Sequence, residues 1–181
     1  MIPNLVAGFI GVSPPVPLTS YESIATVSVT TTQAYVEFTG IAGTYSHLQL
    51  RVLQRSTTPN NTNMTFNSDT GSNYNWHELY SDSSTAASAN SGGSVAFMKA
   101  SYLETISAGY VGAAVIDILD YSNTNKNKTM RALVGSNAGS TGYVLLRSGL
   151  WRNTAAITTI RLTPASGSWD NNASIALYGI K

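Results

Sequence analysis

From residue 21 onward, apolar and polar positions alternate with a period of two in short runs, and no run sustains the 3.6-residue period of an amphipathic helix. The clearest run is 47–55, where Leu48, Leu50 and Val52 point one way and His47, Gln49 and Arg51 the other. That is the pattern of a half-buried strand. Comparable runs at 22–29, 33–38, 62–67, 74–80, 95–103, 112–120, 128–136, 142–150, 155–163 and 174–180 complete a set of about eleven strands, with turns rich in Gly, Asn, Ser and Asp between them. Many short strands joined by polar turns predict an all-β fold, an antiparallel two-sheet sandwich of jelly-roll-like form.

One run departs from simple alternation. Within 112–120 both faces are apolar, Val115 and Leu119 on one side and Ala114, Ile116 and Ile118 on the other, which predicts a central strand buried on both faces. Residues 122–127 are short polar side chains and one Lys, the composition of a turn at the water surface. The chain then returns through 128–134. The unit 112–134 is therefore predicted as a long hairpin, with Asn125 and Lys126 at a projecting tip available for contacts. Asp117 interrupts the apolar run and needs a partner, and Arg131 on the returning arm is the predicted one.

Aromatic positions add a second candidate surface. Tyr74, Trp76 and Tyr80 fall two and four residues apart and share one face of a strand. Such a ladder either belongs to the core or stacks on sugar rings. Trp151 precedes a polar turn and Trp169 lies in the 166–171 loop, so both are expected to be exposed and to serve in assembly contacts. Residues 81–94, mostly Ser, Ala, Asn and Gly, are expected to form one long loop.

Composition narrows the chemistry. With 10 Lys+Arg against 9 Asp+Glu, the chain has no electrostatic footprint for nucleic acid or an anionic membrane. Cysteine is absent, which removes disulfides and thiolate metal sites. His47 and His77 are expected to bond to backbone groups within strands. His77 and Glu78 are adjacent and so point to opposite faces, which gives no metal site by adjacency. There is no G-x-S-x-G elbow and no Gly-rich phosphate loop, and Asp117 and Asp120, three apart, do not face each other as a glycosidase pair. The expectation is a non-enzymatic protein, with no catalytic residue, metal or cofactor.

Residues 1–20 are different again. Pro3, Pro14, Pro15 and Pro17 exclude a regular helix, while Ile2, Leu5, Val6, Phe9, Ile10, Val12, Val16 and Leu18 supply more apolar surface than a disordered tail carries. This predicts an extended arm buried against its own domain or a neighbouring subunit, followed by a single domain over 21–181. The start of the chain lacks a positively charged n-region, so a secretory signal is not expected.

Several segments, in order, carry a resemblance: YESIATV at 21–27, HLQLR at 47–51, FNSDTGSNY at 66–74, IDILDYSNTNK at 116–126, GLWRNTAAI at 149–157 and ALYGI at 176–180. Together they resemble a family of β-rich virion structural proteins of tailed bacteriophages, common in aquatic phages. The resemblance covers about 21–181 and brings no catalytic or binding residues with it. It implies a virion location and leaves head or tail open. The role expected is capsid decoration or cementing, docked on the assembled particle through the amino-terminal arm and loops, with the major capsid protein as partner and self-association into a homo-oligomer. Ile2, Leu5, Val6, Phe9, Ile10, Val16, Leu18, Asn125, Lys126, Trp151 and Trp169 are the residues expected to make those contacts. The alternative is a tail-fibre or receptor-binding module, with Tyr74, Trp76 and Tyr80 stacking on a host glycan.

Overall fold

The computed structural model describes residues 20–82, 84–103, 110–137 and 142–181. The contact residues expected within 1–18 lie outside the described residues. Twelve strands are formed: β1 (Tyr21–Ser28), β2 (Val36–Phe38), β3 (His47–Gln54), β4 (Asn60–Phe66), β5 (Tyr74–Ser81), β6 (Ala86–Asn90), β7 (Met98–Leu103), β8 (Gly112–Leu119), β9 (Lys128–Asn137), β10 (Gly142–Trp151), β11 (Ile160–Pro164) and β12 (Ser174–Ile180). Eight build one sheet in the order β1-β12-β3-β8-β9-β10-β5-β6, and four build a second in the order β2-β11-β4-β7. All pairings are antiparallel, and the two sheets make a β-sandwich.

The core lies between the sheets. Leu48, Leu50, Ile116, Ile118, Ile175 and Leu177 come from the large sheet, and Met64, Phe66, Met98 and Leu162 from the small one, all fully buried. Each such side chain contributes about 1.5 to 3 kcal/mol relative to exposure. A buried ion pair shares this layer. The Arg147 guanidinium donates from Nε to Glu78 Oε2 (2.8 Å), from Nη1 to the Ser101 carbonyl (2.6 Å) and from Nη2 to Asn61 Oδ1 (2.5 Å). Lys99 pairs with the other Glu78 oxygen at 3.0 Å and lies 4.0 Å from the Trp76 ring centroid. This network ties β5 and β10 of one sheet to β4 and β7 of the other.

One end of the sandwich is built by side chains that bond to turns. Asn67 and Ser68 take positive φ in the β4–β5 connection. The Asn67 carboxamide accepts from the Thr158 and Thr159 amides and donates to the Ala156 carbonyl, pinning a distant loop. Asp69 accepts from the Trp151 indole (2.7 Å), the Asn73 amide and the Gly71 N–H. Burial opposes its ionisation, but these three donors outweigh that and hold its carboxyl below the ordinary value. Burial pushes the neighbouring Tyr74 hydroxyl up to about 12, and it stays a donor toward the Phe66 and Asp69 carbonyls. At the β8–β9 tip, fully buried Lys128 donates to the carbonyls of Asn123, Lys126 and Thr154.

Four expectations are corrected here. Residues 81–94 are not one long loop, because Ala86–Asn90 pairs with β5 as an edge strand. Small residues give it no apolar contrast to read, and backbone hydrogen bonds form it all the same. The run 155–163 contributes only Ile160–Pro164; 33–38 contributes Val36–Phe38 plus a Gln33 bridge to Trp169. Trp151 and Trp169 are buried, not exposed. Trp151 lies between Phe66 and Tyr74 with its N–H on Asp69, and Trp169 donates to the Leu162 carbonyl. Finally, β8 is central but buried on one face only, since the four-stranded sheet covers a single side of the large one.

Candidate functional site

The second face of the large sheet turns away from the core and carries an unusual set of side chains. Among the described residues, seven of the ten exposed large hydrophobic side chains lie on it: Tyr21, Leu53, Leu79, Val115, Leu133, Val144 and Leu146. Scattered exposed apolar residues are ordinary on any protein. These are not scattered. Strand register places Arg51, Val115, Leu133, Leu146, Leu79 and Ser88 directly opposite one another, in a line across β3, β8, β9, β10, β5 and β6. The four apolar members are 41 to 60% exposed. A parallel line two residues further on contains Leu53, Ala113, Gly135 and Val144. Between the lines lies a shallow cavity of about 630 Å³, with Leu53, Val115, Leu133 and Val144 in its wall.

The opposite flank of the apolar line is polar. Gln49, Asp117, Arg131, Ser148, His77 and Asn90 occupy the next register positions. Asp117 Oδ2 meets Arg131 Nε at 3.0 Å, the partner expected from sequence, and Gln49 Nε2 donates to Asp117 Oδ1 at 2.8 Å. Arg51 donates to Gln49 Oε1 and lies over the Tyr178 and Tyr21 rings at 5.1 and 5.6 Å. An apolar centre with a bonded polar margin is the anatomy of a protein-docking surface.

The other sequence-derived candidates fall elsewhere. Tyr74, Trp76 and Tyr80 share a face as expected, but it is the inner face, where Tyr74 is fully buried and the other two pack against the core. The ladder does not form a sugar-stacking surface. Asn125 and Lys126 are exposed at the hairpin tip, where Lys126 pairs with Asp120. They lie beyond Leu119 and Thr129, at one end of the sheet and apart from the apolar line. His47 Nδ1 accepts the Asp120 amide proton at 3.0 Å, a backbone bond as expected, while His77 is exposed on the open face. Among the described residues, no three of the acidic and histidine side chains gather where they could hold a metal ion.

Sequence reading missed Leu53, Leu79, Leu133, Val144 and Leu146 as surface candidates. The available signal was that outward positions of their strands, which alternation reserves for polar residues, carry Leu and Val. Comparison with protein-family models, curated proteins and solved structures gave no match.

Proposed function

We propose that this chain is a non-enzymatic structural subunit of a tailed-phage particle, a decoration or cement protein that docks on the assembled capsid through the open face of its large sheet. The observation that carries the docking half is the apolar line Val115–Leu133–Leu146–Leu79 with its polar flank, aligned by the register of four paired strands. The virion half is supported by the ordered resemblance of six segments. Two of these, 66–74 and 149–157, meet in the structure through Asp69 and Trp151. They are the parts of the chain that build one end of the fold. The partner class is a protein surface able to cover an apolar strip, for which the major capsid protein is the leading candidate, and subunits are expected to associate with one another on the particle. The aromatic ladder, facing inward, lends the glycan-binding alternative no support.

The test is incorporation. A variant with Leu133→Glu and Leu146→Glu should fold, since both positions are exposed, and should be lost from particles that take up the unaltered chain. Quantitative mass spectrometry of purified particles should find the protein in hundreds of copies, on the order expected of a lattice-bound subunit. Full incorporation of the charged variant would overturn the docking face, and absence of the protein from particles would overturn the virion role.

A further inference from the structure

The outermost strands of an open sheet present N–H and C=O groups with no ladder partner, and native proteins blunt such edges. Three of the four edges in this sandwich are blunted. β1 slips register between Ser23 and Ala25 and carries Glu22, paired with Lys181. β2 is three residues long and carries Glu37, paired with Arg161. β7 slips register against β4 and carries Lys99, which reaches Glu78 of the other sheet. β6 has none of these devices. Its five residues, Ala86–Asn90, hold register with β5 throughout, and they include no proline and no charge.

The bonding phase of the β6 edge follows from its two ends. The Asp82 amide donates to the Thr85 carbonyl, and the Ser91 amide to the Trp76 carbonyl. Reciprocally bonded pairs alternate along an antiparallel ladder, so Ala87 and Ala89 bond inward, to Tyr80 and Glu78. The amides and carbonyls of Ala86, Ser88 and Asn90 therefore point outward, and no described residue bonds to them.

We propose that this edge is a homodimer interface, in which β6 pairs antiparallel with β6 of a second copy about a two-fold axis at Ser88. In that register Ser88 meets the second copy's Ser88, and Ala86 meets the second copy's Asn90, so every outward donor and acceptor is satisfied. The side chains agree with the backbone. They are small and uncharged, so no like charges face each other across the axis. A foreign strand would gain the same backbone bonds but nothing that selects it, because specificity in strand addition comes from side-chain pockets and β6 offers Ala and Ser. The axis of such a pair stands perpendicular to the sheet, which turns both open faces the same way. Since Ser88 lies opposite Leu79, the dimer extends the line Val115–Leu133–Leu146–Leu79 of one copy straight into that of the other. The pairing rests on the edge alone. An edge of five residues buries little surface, so the dimer is weak and forms with rising concentration.

Sedimentation of the full-length chain should show a mean mass that rises from one chain toward two as concentration increases. Ser88→Pro removes an outward donor and leaves the bonds to β5 in place, while Ser88→Lys sets two charges at the axis from an exposed position. Each should weaken association by at least about ten-fold, and the Lys variant, whose backbone is unaltered, decides the matter if the Pro variant unfolds. Thr26→Lys, exposed on the opposite edge, should leave association unchanged. The chain has no cysteine, so Ser88→Cys adds a single thiol, which a short bifunctional thiol reagent should join between copies; Leu133→Cys should not cross-link. A mass of one chain at every concentration into the millimolar range would overturn the proposal. Association that survives Ser88→Lys, or cross-linking through Leu133→Cys in place of Ser88→Cys, would overturn it too, the latter by moving self-association to the open face. None of these measurements uses a particle, so this proposal and the docking proposal can fail separately.

Discussion

Ile116 and Val115 are neighbours in the central strand, and they show the two faces of the large sheet side by side. Ile116 is fully buried between the sheets, whereas Val115 is 41% exposed on the side the small sheet does not reach. In hydrophobicity the two positions are nearly alike. Their difference is one of partners, and it shows that an apolar residue in a strand reports a need for cover without saying which element meets it. The inner face is closed by β7, β4 and β11, and even accommodates an arginine because every donor used there has an acceptor. The open face keeps its charges at the margin, and no described residue covers its apolar line.

The largest effect should come from the inner face. Arg147→Met leaves Glu78 buried with Lys99 as its remaining cation, and should cost about 3 to 5 kcal/mol in a denaturant melt, the usual loss on breaking a buried pair. Ile116→Ala should cost about 2 to 5 kcal/mol by loss of burial and the cavity left behind. Val115→Ala sharpens the comparison. On a bare face it should stay within about 0.5 kcal/mol, and a cost that approaches that of Ile116→Ala would show the open face covered in solution.

At the end of the sandwich, Asp69→Ala removes the acceptor of a buried indole N–H and should cost about 1 to 3 kcal/mol. The pH dependence has a definite sign. Because the folded state holds the Asp69 carboxyl below its unfolded value of about 3.9, its contribution is complete above that pH and is lost as pH falls through the folded value. Acid melts of the parent should steepen below about pH 4, and Asp69→Asn should flatten that limb.

Asp117→Ala should cost about 1 kcal/mol, since its partner Arg131 is 68% exposed and water screens the pair. Smallest of all, Asn125→Ala at the tip should be silent within about 0.5 kcal/mol, as for ordinary surface substitutions.

Much of the sandwich could be read directly because period two survives wherever one face is wet. The hairpin of β8 and β9 follows from its apolar arms and its Asn-rich turn, and the Asp117–Arg131 pair from a carboxylate in need of a partner. Burial of Trp151 and Trp169 could not be read from their polar neighbours. Each is held by a hydrogen bond to a group chosen by the fold, Asp69 being 82 positions away from Trp151. The open face was hidden for a related reason. Val115, Leu133, Leu146 and Leu79 are unremarkable one at a time, and only register aligns them. The expectation that β8 is covered twice failed because apolar residues on both faces of a strand do not supply a second cover, and the small sheet covers one face only.

The position of β12 has a consequence for how the molecule comes into being. Ser174–Ile180 lies between β1 and β3, so strands that begin about 25 residues apart are joined through one made some 120 residues later. At roughly 5 to 20 residues per second, a ribosome needs on the order of ten seconds to bridge that interval. Throughout it β1 has no partner and β3 has a bare edge, so the large sheet closes only after nearly all of the domain has been synthesised. A sheet ordered in this way is expected to complete late, and the hazard in that interval is that two lone strands pair with the wrong neighbour.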